Sequence, residues 1–235
     1  MQYELRYYHV EPGRMHDLDA RMRDGLPPLL DRHGINVVGR WHVLAGRGTP
    51  MFVYLMAWKD NTERETNWGG FYADPEWWAL RASTNAGSEL VQHYDISLLS
   101  PSPAWTEFRK TQGDIQVGAV HELIVQPIAN GQPKAAHEYV AQTALPVLAA
   151  HGGTLLGSFN LIAGQNMPGL VTLLSWHDSA AREAGWAAYW NDPQIQQAHA
   201  AQRQSLGRSL LGRADSYLLQ PTPYAPVAPL LGLAR

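Results

Sequence analysis

The sequence predicts an α+β protein: two tandem ferredoxin-like (βαββαβ) domains packed as an intramolecular α/β barrel. Three observations carry this expectation. The first is a repeat: residues 3–75 align without a gap on residues 121–193, at a constant offset of 118, with about twenty identities. They fall on structural punctuation. Glu4-Leu5 meets Glu122-Leu123, Pro28 meets Pro146, His33-Gly34 meets His151-Gly152, Gly39 meets Gly157, Trp58 meets Trp176, Arg64-Glu65 meets Arg182-Glu183, Trp68 meets Trp186 and Asp74-Pro75 meets Asp192-Pro193. After a two-residue slip, 95–103 (DISLLSPSP) meets 215–223 (DSYLLQPTP). A repeat of this length is a whole domain, not a solenoid unit. The second observation is the order of patterned segments within a copy, β-α-β-β-α-β. The third is topological: such a sheet has one face covered by helices and one bare face, and two copies in one chain can bury each other's bare faces.

The elements follow in order. Tyr3 to Val10 (YELRYYHV) is aromatic and β-branched enough for a strand, and Pro12-Gly13 ends it. Arg14 to Arg32 carries Met15, Leu18, Met22, Leu26, Leu29 and Leu30 at helical spacing, with Pro27-Pro28 expected to kink or interrupt the helix and His33-Gly34 to cap it. Asn36 to Ala45 and Met51 to Trp58 read as a hairpin around Gly46-Arg47-Gly48-Thr49-Pro50. Asp60 with Glu63 forms a capping box for a second helix through Arg64, Trp68 and Phe71. Asp74-Pro75 opens a short helix through Trp77, Trp78 and Leu80, and Leu90 to Leu99 is the last strand of the copy. The expected domains are thus 1–100 and 118–223, with a linker at 101–117 and a Pro-rich tail at 224–235 lying across a neighbouring domain surface.

Composition narrows the function. The 235 residues carry a formal net charge of −3, with 18 Lys+Arg against 21 Asp+Glu. That balance gives no case for nucleic acid or an anionic membrane, and the stretch around Lys110 (KTQGDIQ) is not a basic cluster. The absence of cysteine excludes a thiol nucleophile, a disulfide framework and a zinc–thiolate site. No apolar run is long enough for a membrane span, and MQYELRYYHVEPG enters a strand directly, so the expected location is cytoplasmic. There is no Gly-rich phosphate loop or nucleophile elbow.

Tyr3-Glu4-Leu5-Arg6 before Pro12-Gly13, then Gly39-Arg40-Trp41, Trp58 with Asp60 and Arg64, and Asp74-Pro75-Glu76-Trp77 resemble the NIPSNAP family in order and spacing. The likeness covers residues 2–100 and, more weakly, 119–222, where His121, Ile124, Ser158-Phe159 and Gln194-Ile195 depart from the pattern. The resemblance implies membership of the dimeric α/β-barrel group, which includes cofactor-independent monooxygenases, haem-degrading enzymes and aromatic-product cyclases.

A polar residue present in only one copy is a better candidate for chemistry than one kept in both. Gly39/Gly157, Asp60/Asp178, Asp74/Asp192 and His33/His151 are therefore read as caps, turns and close approaches, and Arg64/Arg182 as partners of a nearby carboxylate or helix-end carbonyl. Period-two alternation puts Glu4 with Arg6, Arg40 with His42, and His93 with Asp95 on single strand faces. Their counterparts are Glu122, Ile124, Ser158, Asn160, Arg213 and Asp215, from which most charge has gone. The expected catalytic set is His42, His93, Arg6, Arg40 and Glu4, with His42 or His93 as general acid or base and an arginine holding a carboxylate or enolate. Trp41, Tyr54, Trp58 and Trp68 are the expected substrate-binding walls, and the second copy would serve as a partner wall.

Alternation does not say which face the helices cover, so a solvated or ion-paired face is the competing reading. His9, His42 and His93 could ligate a metal, but no HxH or HxxxE spacing supports it; a haem site would need an axial histidine facing a large pocket, and no motif marks one. No metal and no cofactor are expected. The expected partner is a small hydrophobic or aromatic molecule, and a homodimer of such pseudo-dimers stays open. Function is expected to be acid/base chemistry by a cofactor-independent enzyme, with a non-catalytic binding or interaction module as the alternative.

Overall fold

A computed structural model describes residues 1–108, 110 and 115–224. The chain divides into two compact units, Met1–Leu98 with Pro221 to Tyr224, and Leu99–Gln220. The tail expected to lie across a neighbouring domain falls, apart from Tyr224, outside the described residues.

In the first unit, β1 (Gln2–Val10), β2 (Asn36–Ala45), β3 (Met51–Trp58) and β4 (Val91–Pro101) take the antiparallel order β4-β1-β3-β2. Gln2 to His9 of β1 pair with Trp58 to Met51 of β3, which places Arg6 opposite Tyr54 and Tyr8 opposite Phe52. The helices are α1 (Met15–Ala20), α2 (Leu26–Arg32), α3 (Asn61–Ala73) and α4 (Pro75–Asn85). A π-helical turn at Arg21–Gly25 separates α1 from α2. The interruption expected at Pro27-Pro28 thus falls one turn earlier, because two residues without N–H groups leave the carbonyls of the preceding turn to find other donors. Asp60 accepts the Glu63 N–H at 2.9 Å and Asp74 accepts the Glu76 N–H at 2.9 Å, as the capping patterns require. Gly34 closes α2 with φ of +64°.

The helices cover the sheet face that carries the even-numbered residues of β1 and β3. Val10 of β1 and Phe52, Tyr54, Met56 and Trp58 of β3 form one core with Leu18, Met22, Leu26, Leu29, Leu30, Trp68 and Phe71. The even-numbered positions of β1, Glu4, Arg6 and Tyr8 among them, therefore point at the helices. Trp41 lies in β2 outside this core; a Cβ on Gly39 would sit 2.1 Å from its ring, so the glycine is what allows the indole to fold back along its own strand.

The second unit repeats the plan: β5 (Val120–Pro127), β6 (Thr154–Ala163), β7 (Gly169–Trp176) and β8 (Asp215–Pro221) in the order β8-β5-β7-β6. In chain order its helices are α5 (Pro103–Phe108), α6 (Pro133–Tyr139), α7 (Leu145–Ala150), α8 (Ser179–Asn191) and α9 (Pro193–Leu206). A π-helical turn at Val140–Ala144 again stands just ahead of the proline, here Pro146. Helix α5 occupies part of the stretch expected to be linker; Ser102 caps it by accepting the Trp105 N–H at 3.0 Å and donates to Ser158 Oγ at 2.9 Å. Ile124 stands opposite Thr172 and Gln126 opposite Leu170, in the register that joins Arg6 to Tyr54 in the first unit.

Candidate functional site

The residues singled out in the first unit separate into three places. Glu4 is fully buried and accepts Arg6 Nε at 2.6 Å, Arg64 Nε at 2.7 Å and Trp68 Nε1 at 3.1 Å. Arg6 is also buried, with its guanidinium 3.9 Å from the Trp68 ring centroid and its NH1 3.3 Å from Tyr72 Oη. Tyr54 Oη donates to Tyr8 Oη at 2.7 Å, and Trp58 and Trp68 are buried in the same core. His42 stands elsewhere, with Nε2 2.8 and 2.9 Å from the two Asp19 oxygens; Tyr224 Oη donates to Asp19 Oδ1 at 2.5 Å. Arg40 is half-buried with its Nε unpartnered, and burial lowers its pKa. His93 is exposed and stacks on His9 with centroids 4.1 Å apart. Of the three histidines considered as metal ligands, His9 and His93 come together and His42 does not.

The second unit keeps the Glu4 arrangement. Glu122 accepts Arg182 Nε at 2.9 Å and Arg182 NH2 at 2.5 Å, Trp186 Nε1 at 2.7 Å, Trp176 Nε1 at 3.2 Å and Ser216 Oγ at 2.6 Å. A carboxylate so saturated in both copies ties a strand to the first helix after the hairpin, which accounts for Arg64 and Arg182. Five donors on Glu122 fill its roughly four lone-pair sites, and three donors occupy Glu4.

What differs is the neighbouring space. Arg6, Tyr8, Tyr54 and Tyr94 crowd together in the first unit, the Tyr8 and Tyr54 rings 5.0 Å apart and Tyr8 and Tyr94 5.6 Å apart. At the matching positions stand Ile124, Gln126, Thr172 and Ala214, all smaller, and there the second unit has a cavity of about 930 Å³. Its walls include Leu145, Leu148, Leu170, Leu174, Trp186 and Trp190, and three titratable groups meet inside. Tyr139 Oη lies 3.5 Å from Tyr189 Oη and 3.4 Å from His199 Nε2. Burial raises the pKa of both phenols, keeping them protonated donors. Burial, then the charge of Arg203, lowers that of His199 and favours the neutral imidazole, a proton acceptor. Arg208 and Arg213 also line the cavity; the sole carboxylate among the lining residues is the occupied Glu122.

Sequence reasoning passed over Tyr139, Tyr189 and His199. The signal was nevertheless in the repeat: Ile124, Gln126, Thr172 and Ala214 register a loss of side-chain volume as well as a loss of charge.

Solved structures place the fold. An anthrone oxidase-like protein is 15% identical at a TM-score of 0.55, covering 94% of this chain and 91% of its own. A candidate monooxygenase from Lactobacillus acidophilus NCFM is 12% identical at 0.53, covering 94% and 93%. A mutant chlorite dismutase from Candidatus Nitrospira defluvii is 8% identical at 0.58, covering 100% and 96%. The likeness shows a mixed helix-and-strand protein of the dimeric α/β-barrel class, as the sequence predicts. The NIPSNAP family model matches residues 3–111 and again 121–226, so the chain belongs to the NIPSNAP family as a tandem, two-domain member. A search of curated proteins finds no match. No helix among the described residues is long and apolar enough to cross a membrane.

Proposed function

We propose that the chain is a cofactor-independent small-molecule enzyme that takes an aromatic, ketone-bearing ligand into the second unit's cavity and enolises it. The observation that carries this is the cavity of about 930 Å³ in which a neutral histidine and two protonated tyrosines converge between indole and leucine walls. Volumes of this order suit multi-ring ligands. His199 Nε2 takes a proton from a carbon conjugated with the carbonyl, either beside it or, as in anthrone, at the methylene across the ring from it; the C–H electron pair moves into the conjugated π system, and the carbonyl oxygen gains the charge. Tyr139 and Tyr189 donate hydrogen bonds to that oxygen. Such an enolate is the common start of isomerisation, cyclisation and cofactor-free oxygenation. Arg208 and Arg213 favour ligands that also carry an acidic group. The anthrone oxidase-like neighbour suggests anthrone as a probe.

Exchange of the anthrone methylene protons in D2O, followed by NMR, tests the step directly. The protein is expected to speed exchange above buffer, and His199→Ala to reduce the gain by about 10²–10⁴-fold. Quenching of Trp fluorescence by anthrone with no gain in exchange would instead establish the non-catalytic binding module. A haem absorption band in the protein as purified would overturn the cofactor-free assignment.

The pH dependence has a definite sign. A histidine whose pKa is lowered from 6.5 keeps its base form at more acidic pH. The acid limb of the exchange rate is therefore expected below pH 6.5, and a limb above it would exclude His199 as the base.

A further inference from the structure

We infer that His9, His93 and Asp95 form a binding site for a divalent transition-metal ion of the zinc class, in the first unit and independent of the cavity. One ligand atom from each residue lies within 4.8 Å of the others. That spacing is wider than a bound ion needs, but His93 and Asp95 are exposed and their side chains have room to close around it.

The stronger observation concerns protons. His9 Nδ1 is 3.2 Å from the carbonyl oxygen of Gly48, and His9 Nε2 is 3.1 Å from Asp95 Oδ2. Both neighbours are acceptors. A neutral imidazole has one N–H, so if Gly48 takes it, a bare lone pair on Nε2 faces a carboxylate oxygen. A metal ion between the two, or a proton on Nε2, turns that contact into an attractive one. His93 brings a second imidazole to the same spot, its ring stacked on His9 at 4.1 Å and 12°. A metal ion draws on two neutral imidazoles and a carboxylate together. A ligating histidine whose other ring nitrogen donates to a backbone carbonyl is also the usual outer-shell arrangement.

The backbone is shaped for this contact. Gly48 has φ of +81°, and a Cβ there would sit 2.9 Å from His9 Cε1 and 3.1 Å from Nδ1. Only a residue without a side chain lets that segment come so near the imidazole. The site belongs to the first copy alone: the positions of His9 and His93 are taken in the second by Pro127 and Arg213, neither of which ligates.

Calorimetric titration of the full, untagged, chelator-treated chain with Zn²⁺ tests the assignment, with Co²⁺ as the spectroscopic substitute. One ion per chain is expected, with a visible cobalt absorption band, and with affinity reduced at least about tenfold in Asp95→Ala and about tenfold or more in His93→Ala. His16→Ala, which alters an exposed histidine elsewhere, should bind as the parent does. Circular dichroism of each variant separates loss of ligand from loss of fold. Absence of binding, or full-strength binding in the His93→Ala/Asp95→Ala double variant, would show that a proton alone bridges His9 and Asp95.

Discussion

Glu122→Ala is expected to destabilise the second unit by about 3–5 kcal/mol, the usual result of removing one partner from a buried ion pair. The change strands Arg182 and leaves the Trp176 and Trp186 N–H groups and the Ser216 hydroxyl without the acceptor they share. Urea unfolding near neutral pH measures it, and a loss under about 1 kcal/mol would mean that these donors find other partners. The pH course follows from the same contacts. Burial works to raise the Glu122 pKa, but hydrogen bonds from Arg182, Ser216 and Trp186 outweigh it and hold the carboxyl below its ordinary 4.5. A depressed folded-state pKa adds stability above the unfolded value, and that contribution is lost as pH falls through the folded one. The gap between the parent and Glu122→Gln should therefore narrow below about pH 4.5.

Thr172→Tyr is expected to weaken ligand binding on the order of 100-fold or more while leaving the fold intact. It installs in the second unit the residue that the first carries at Tyr54, opposite Ile124 across the strand pair. A tyrosine ring occupying about 150 Å² of contact surface forfeits nearly 4 kcal/mol at about 25 cal/mol per Å², part of which a ligand regains by shifting. Because the ring enters existing space, the overpacking that usually penalises enlargement is absent, and thermal stability should hold or rise. Titration of anthrone against tryptophan fluorescence reads the affinity, since Trp186 and Trp190 line the cavity. Unchanged affinity in a normally folded variant would place the ligand elsewhere and remove the basis for assigning function to this cavity.

Both predictions turn on comparing the two copies, and that comparison shows where a sequence informs and where it stops. The strand and helix order, the caps at Asp60 and Asp74 and the closure at His33-Gly34 were legible, because each depends on residues within a few positions of one another, and the repeat was legible because both copies keep those local patterns at a constant offset of 118. The Glu4 cluster was half legible: a carboxylate partner for Arg64 could be expected, but not that it would be Glu4, sixty positions away across the helix–sheet interface. Strand alternation grouped Glu4 with Arg6 without saying that their face looks at the helices, and charge lost at Ile124 drew attention to the copy that kept it. Only tertiary structure decided that Arg6, Tyr8, Tyr54 and Tyr94 crowd one space while Ile124, Gln126, Thr172 and Ala214 leave its counterpart open. The physical reason is that a cavity is volume left over by side chains from several strands and helices at once, a quantity that no local pattern of residues records.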